Sequence, residues 1–442
     1  MASVREINST CEVLVIGGGI TGAGILRELA LHGVDSVLFE KSDFSSQTSQ
    51  GSSKMLHGGI RYLENLDFSL VFEALREKNI WLKLTPHLCY PQTFYMPSHK
   101  SSKYPKIALF AAVKLYHALS LFQDGRSGLC NREQFKKLFP LIDDKNINGG
   151  AYYSDAIVDD ARLCIECILD ACTYPNIDAY NYIEVTSVNK NEDHYLVSYY
   201  DHLSQKTAKI KTQHIVFATG PFTDKIMQKL AINWEPVLIP SKGTHIWLRP
   251  DKLKMTQPMV LQTQDNRVVF VIPQKGAILV GTTEIEMEQA EFDIKPSQLE
   301  IDYLIKQLNV YFPAANINTS DIISSFAAIR PLVGEHGRDR AGKVSRHHQI
   351  YRPQKNMYSI VGGKYTTFRI MAQDVVKLIL PSLNKSFNPN LSLNEFRYSS
   401  QVRPFEQLNR QSLVEIAKNQ EMAISSEDVW RRRLGLIQPP QD

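Results

Sequence analysis

A mixed α/β fold is predicted for this 442-residue chain, and three stretches predict it. Near the start, the apolar run Val13-Leu14-Val15-Ile16 leads into Gly17-Gly18-Gly19-Ile20-Thr21-Gly22. A helical pattern then reaches Gly33, and a second apolar run, Val37-Leu38-Phe39, ends on the carboxylate of Glu40. Further on, His214-Ile215-Val216-Phe217-Ala218-Thr219-Gly220 reads as a buried parallel strand ending in small residues. From about 235 to 330 the runs 243–248, 267–272, 277–280 and 322–329 carry an antiparallel pattern.

The glycine turn is the most specific of these. Gly17 permits a tight turn, Gly19 lets a pyrophosphate approach the backbone, and Gly22 lets the helix pack close to its strand. The helix start offers N–H groups and a partial positive charge to phosphates. Glu40 is placed to accept a hydrogen bond from a ribose 2′-hydroxyl and to repel a 2′-phosphate. No second G-x-G-x-x-G follows, as a separate nicotinamide fold would suggest. The chain runs instead into Ser52, Ser53, Lys54, His57, Gly58, Gly59, Arg61 and Tyr62, a dense patch of small residues and positive charge. Directly after a nucleotide fold, such a patch reads as closing on a ligand, and it favours FAD over NAD.

Hydrophobic content of 43%, charge of 22% and a net charge of +4 suit a globular protein of two or three domains and indicate no nucleic-acid role. Mild basicity suits an anionic substrate or membrane surface. Cys11, Cys89, Cys130, Cys164, Cys167 and Cys172 show no zinc spacing, so buried cysteines in a reducing cytosol are expected, without a metal. No signal peptide is read at the N-terminus. No apolar run reaches the roughly 18 residues that span a bilayer. The nearest, 107–122, is interrupted by Lys114 and His117 and preceded by Lys100, Lys103 and Lys106. It reads either as a helix in the membrane interface or as a largely buried one.

The remaining elements follow from caps and stops. Residues 1–10 read as a mobile lead, and Asp67 caps a helix over 69–84 that Pro86 stops. A helix over 132–139 ends at Pro140, and Asp159 and Asp160 open the cysteine-bearing helix with acids in its first turn. Strands alternate from 180 to 210, Asp265-Asn266 marks a turn, and a helix over 297–311 lies on the antiparallel sheet. A strand over 358–361 runs into Gly362-Gly363, which opens a second helix. Helices are expected over 411–419 and 426–435, with Arg431-Arg432-Arg433 as a solvated face.

Together these stretches resemble the FAD-dependent glycerol-3-phosphate dehydrogenases, within the glycine/D-amino-acid oxidase superfamily. The resemblance is carried by 16–24, by Ser52-Ser53-Lys54-Met55-Leu56-His57-Gly58-Gly59-Ile60-Arg61-Tyr62-Leu63-Glu64, and by 153–163. Ala218-Thr219-Gly220-Pro221, Lys242-Gly243-Thr244-His245, Gly281-Thr282-Thr283, Ile329-Arg330-Pro331-Leu332 and 362–369 complete it, in family order from about 11 to 380. The resemblance implies a discontinuous Rossmann-like FAD-binding domain made of 11–90, 151–234 and 345–384. Residues 91–150 are then a membrane-interface or substrate-domain segment, 235–344 an antiparallel-sheet substrate domain, and 385–442 a short C-terminal helical tail.

The implied reaction is oxidation of sn-glycerol 3-phosphate to dihydroxyacetone phosphate, with hydride passing from C2 to flavin N5 and electrons going on to a quinone. The implied place is the cytoplasm, peripheral to the cytoplasmic face of the inner membrane. The short tail leaves homodimer formation open. By motif match, Gly17, Gly19, Gly22, Glu40, Ser52, Ser53, Lys54, His57, Ala218, Gly220, Gly363, Lys364, Thr366 and Thr367 are assigned to the cofactor. Arg61, Tyr62, Arg330 and Lys364 are assigned to the substrate, because an arginine fork matches a phosphate. His57 is the expected proton acceptor, His245 the second candidate, and Arg330 and Lys364 stabilise negative charge. An oxidase passing electrons to oxygen, a flavin-binding relative with an altered substrate site, and oxidation of a related hydroxy acid or amine are the alternatives.

Overall fold

The computed structural model describes residues 7–99, 104–143, 145–334, 347–398 and 409–440. Residues 1–6 of the expected lead, together with Lys100 and Lys103, lie outside them. Two sheets organise the described chain. The first has the order His348–Gln354, Met357–Gly362, Lys206–Phe217, Thr10–Ile16, Ser36–Glu40, Ile177–Asn181, and its last five strands run parallel. These strands are apolar on both faces because both faces are covered. Val13, Val15 and Leu38 face a layer containing the helices Ile20–Leu31, Asp160–Ala171 and Phe368–Ile379. Leu14, Ile16, Val37 and Phe39 face the opposite layer, where Tyr195, Val197 and Tyr199 of the Tyr195–Asp201 strand pack. The strand read from His214 onward is the parallel second half of Lys206–Phe217, whose first half pairs antiparallel with Tyr195–Asp201.

The second sheet has ten strands, and Leu238–Leu248 lies between Ala277–Gly281 and Ile322–Val333. It reaches further back in the chain than the pattern from 235 suggests. Cys89–His99, Ile147–Val158 and the two-residue strand Met55–Leu56 belong to it. The boundary expected at 150 therefore falls inside a strand. Long-range pairing of Cys89–His99 with Ile147–Val158 decides this, and local pattern does not report such pairing. The helices Gln298–Tyr311 and Arg132–Leu138 cover one face, while Phe68–Leu84 and Lys106–Leu119 cover the other.

Asp67 caps its helix as the sequence predicts, and the helices opened by Asp159 and Ser297 are capped as well. Asp67 accepts from Leu70 N–H, Asp159 from Arg162 N–H, and Ser297 forms a capping box with Glu300. Cys164 and Cys167 are fully buried in the helix layer. The helix Lys106–Leu119 is amphipathic in both expected senses: Leu109, Val113 and Tyr116 point inward, while Ile107, Phe110 and Leu115 are exposed. Among the described residues no helix is long and apolar enough to cross a membrane.

Two expectations are corrected. Gly362 and Gly363, both at positive φ, do not open an α-helix directly, since the 3-10 turn Tyr365–Thr367 precedes Phe368–Ile379. The arginine run is not a solvated face: Arg432 and Arg433 are buried and ion-paired to Asp43. Their partner lies nearly the whole chain away, beyond the reach of a local reading.

His214 gives the fold a pH dependence. It is buried beneath the parallel sheet with Nε2 3.0 Å from Ser382 Oγ, and burial pulls its pKa down to about 4. The unfolded chain therefore binds the proton more readily, near pH 6.5. The stability His214 contributes is complete above that pH and is lost as pH falls toward about 4. Melting curves recorded from pH 7 to pH 4 are expected to show a smaller decline in His214→Gln than in the parent protein.

Candidate active site

One cleft of about 1750 Å³ runs from the glycine turn to the inner face of the second sheet. That exceeds the roughly 300–1,000 Å³ of a single small-ligand pocket and accommodates a dinucleotide with a small substrate beside it. Its first end is a backbone cradle. Gly17 has φ +114°, and a Cβ there would lie 2.5 Å from Ala218 O. A Cβ on Gly22 would lie 1.9 Å from Gly17 O, so only glycine lets the helix start this close to the strand end. Gly19, Ala218 and Gly220 line the same end. Glu40 stands beside them: Oε2 accepts the Gly18 N–H at 2.6 Å and Oε1 accepts the Ser42 N–H at 2.8 Å. Burial raises its pKa, against the two N–H donors. Each carboxylate oxygen retains a further lone pair for a ribose hydroxyl. These residues fit the adenosine and pyrophosphate of FAD.

The middle of the cleft is walled by the 51–59 segment. Asp160, at the start of its helix, accepts Ser52 Oγ at 2.7 Å and Lys54 Nζ at 2.6 Å. Tyr365 donates to the Asp160 carbonyl at 2.5 Å. Ser53 Oγ meets His245 Nε2 at 2.9 Å. Thr366 Oγ1 accepts the His57 N–H at 3.2 Å, pinning the Gly363 turn to the His57 segment. Ser52, Ser53, His57, Gly363, Lys364 and Thr366 line the cleft.

Lys54 and Thr367 depart from their assignment to the cofactor. The Lys54 ammonium turns away from the cleft into its ion pair with buried Asp160. Thr367 is buried, and its hydroxyl donates to Lys364 O at 3.3 Å, shaping the turn from behind. Gly22 acts through packing, behind the lining.

Several cationic residues line the cleft. Arg330 is on Ile322–Val333, and its Nη2 donates to Thr282 Oγ1 at 2.7 Å. Gly243 must lack a side chain, since a Cβ would stand 2.4 Å from Arg330 Nη2. Lys364 Nζ lies 4.1 Å from the centroid of the Tyr62 ring and 3.4 Å from Gly58 O, and Arg61 Cζ lies 5.1 Å from the same ring. Arg61, Tyr62, Arg330 and Lys364 line the cleft together with His57, whose ring centroid is 6.2 Å from that of Phe270. His245 is buried and stacked on Phe326 at 5.0 Å. Burial, then Arg330 and Lys54, hold its pKa well below the ordinary range, so it stays neutral and is a poor proton acceptor. Among the described residues no group of three or more His, Cys, Asp or Glu is placed to hold a metal ion.

Residues 12–377 match the family of FAD dependent oxidoreductases. This chain belongs to that family. It is similar to the aerobic glycerol-3-phosphate dehydrogenase of Staphylococcus aureus, with 32% identity over 389 residues, 87% of this chain and 70% of that one. Among solved structures it is similar to the glycerol-3-phosphate dehydrogenase from Bacillus halodurans complexed with FAD. The TM-score is 0.71 at 26% identity, over 87% of this chain and 68% of that one. The L-alpha-glycerophosphate oxidase from Mycoplasma pneumoniae with FAD bound shares the fold, with a TM-score of 0.66 at 18% identity over 88% and 98% of the two chains.

The oxidoreductase uses residues that sequence reading passed over. Asp160 was recognised as a helix-starting acid only. Glu300 was covered by the predicted helix without a role, yet it collects Lys242 Nζ at 2.6 Å, Thr244 Oγ1 at 2.7 Å and Thr283 Oγ1 at 3.0 Å. Against the effect of burial, the Lys242 and Thr244 hydrogen bonds and the Ser297 cap bring its pKa down to about 2. Only the capping-box spacing from Ser297 hinted at it.

Two substitutions test this geometry. Gly22→Ala is expected to yield protein without the flavin absorbance band and destabilised by about 2 kcal/mol, as overpacking costs, read from the visible spectrum and urea melts. Glu300→Gln breaks a buried ion pair and is expected to cost about 3 kcal/mol at pH 7, read from urea melts.

Proposed function

We propose that this FAD-dependent oxidoreductase oxidises sn-glycerol 3-phosphate to dihydroxyacetone phosphate. The observation that carries the reading is that Arg61, Arg330 and Lys364 line the same cleft as the glycine turn. A phosphate ester of a small alcohol suits that spacing of functions: its dianion meets the arginine forks, and its secondary alcohol lies toward the cofactor. The activities named for the relatives in Staphylococcus aureus and Bacillus halodurans support the same substrate. Bound FAD supplies the hydride acceptor for such a reaction.

The chain's own residues do the rest. Arg330, aligned by Thr282, binds the phosphate together with Arg61. Lys364, held near Tyr62 and Gly58 O, stabilises negative charge on the substrate oxygen. His57, in the cleft wall, takes the hydroxyl proton, because His245 is buried, neutral and of depressed basicity. The first sheet serves FAD and the second serves the substrate. For the electrons we infer a quinone acceptor reached at a membrane surface. The exposed apolar residues Ile107, Phe110 and Leu115, followed by Leu121 and Phe122, support docking there.

Anaerobic addition of sn-glycerol 3-phosphate is expected to bleach the flavin absorbance of the purified protein, whereas glycerol and lactate leave it unchanged. Admitting a soluble quinone or oxygen afterwards identifies the acceptor. Bound flavin that glycerol phosphate does not reduce would overturn the reading. Arg330→Ala is expected to lower kcat/KM for the phosphate ester roughly 100-fold, the equivalent of a lost charge-assisted pair, while flavin content is retained.

A further inference from the structure

Asp43 is buried, and four donors from distant segments satisfy it. Arg432 Nε lies 2.6 Å from Oδ2, Arg433 Nη1 2.5 Å from Oδ2, Arg433 Nη2 2.9 Å from Oδ1, and Asn181 Nδ2 2.9 Å from Oδ1. A carboxylate has about four lone-pair sites, so these donors take the place of water. The arginines are themselves locked. Arg433 Nε and Nη2 donate to Glu421 O at 3.1 and 2.7 Å, and Arg432 Nη2 pairs with Asp428 at 2.5 Å. Asp428 in turn accepts the Tyr182 hydroxyl at 2.8 Å.

What this cluster holds is the rear of the cofactor cradle. Asp43 sits between Glu40 and the Thr48–Gln50 turn, on a loop that grips the glycine turn at three points. Glu40 accepts the Gly18 N–H, Ser45 N–H donates to Gly18 O at 2.9 Å, and Ser49 Oγ accepts the Ile20 N–H at 2.9 Å. Phe44, next to Asp43, lies where a Cβ on Gly18 would come within 2.7 Å. Lys41, Ser45, Ser46 and Gln47 of the same loop line the cleft. Beyond the arginines, the tail reaches the second sheet, where Gly435 O accepts Lys275 Nζ at 2.9 Å and Gln438 Nε2 donates to Ile323 O at 2.6 Å.

We propose that Arg432 and Arg433 are positioning residues for FAD: by neutralising Asp43 they hold the 41–50 loop against the glycine turn in the conformation that binds the cofactor. A buried carboxylate deprived of its counter-charges is driven toward water. Asp43 can reach water only by drawing this loop off the turn, which opens the adenosine end of the cleft.

The test is FAD affinity, read by flavin fluorescence as apoprotein is titrated with FAD, alongside the melting temperature of the apoprotein. Arg433→Gln is expected to raise the FAD Kd at least about tenfold. Arg433→Lys, which restores the charge, is expected to recover most of that loss. Arg431→Gln, which removes only the exposed pair with Glu427, is expected to bind FAD as the parent protein does. Reconstituted with saturating FAD, Arg433→Gln is expected to keep its KM for sn-glycerol 3-phosphate within about twofold of the parent. If Arg433→Gln does not fold, Arg432→Gln, which also deprives Asp43 of a counter-charge, decides by the same titration. FAD affinity within about twofold of the parent in these variants overturns the proposal, and a lowered apoprotein melting temperature without that change assigns the cluster to packing alone.

Discussion

The structure depends on a contact that leaves no room for a methyl group. The first helix can begin where it does only because Gly22 carries no Cβ at 1.9 Å from Gly17 O, and Gly17 carries none at 2.5 Å from Ala218 O. These approaches bring together three segments: the end of Thr10–Ile16, the start of Ile20–Leu31, and the end of Lys206–Phe217. The parallel sheet sets their spacing, with Ile16 in register with Phe217 on one side and Phe39 on the other. A backbone cradle results whose walls are peptide groups rather than side chains. Such walls suit a pyrophosphate, which is bound by N–H dipoles at close range.

A cradle of backbone must be kept in shape by something behind it, and buried carboxylates act as such supports there and elsewhere along the cleft. Asp43 holds the loop behind the glycine turn, Asp160 holds the Ser52–Lys54 bend, and Glu300 holds Lys242, Thr244 and Thr283 beside Arg330. A carboxylate offers about four acceptor sites in one side chain, so one buried acid can gather donors from several segments. Each of the three is thereby a junction for segments remote in sequence. Removing one partner of a buried ion pair is costly, so these junctions resist rearrangement.

Much of this was legible in the sequence, because local physics governs it. The Val13–Glu40 unit, the Asp67 cap, the helix starting at Ser297, the strand entering Ala218-Thr219-Gly220 and the Asp265-Asn266 turn all follow from patterns within a few residues. Arg61, Tyr62, Arg330 and Lys364 were singled out by motif, and all four line the cleft. What escaped was pairing at long range. Lys54 looked like a ligand because its partner, Asp160, is more than a hundred residues on. The arginine run looked solvated because Asp43 is nearly four hundred residues back. Residues 147–158 fell across a boundary because their strand partner, Cys89–His99, lies outside any local window.

The same reasoning separates two classes of cation that a sequence cannot tell apart. Lys54, Lys242, Arg432 and Arg433 each end on a buried carboxylate, and their charge is spent within the fold. Arg330 and Lys364 lie on the cleft wall, where Arg330 Nη2 donates to the Thr282 hydroxyl and Lys364 Nζ meets the Gly58 carbonyl and the Tyr62 ring. Arg330 also acts at a distance on its neighbour, since its charge helps keep His245 neutral. Protonation of His245 would add a further positive charge to a region already cationic. Burial and the neighbouring charges thus weigh against His245 taking a proton, which is why the proposed acceptor is His57 in the cleft wall.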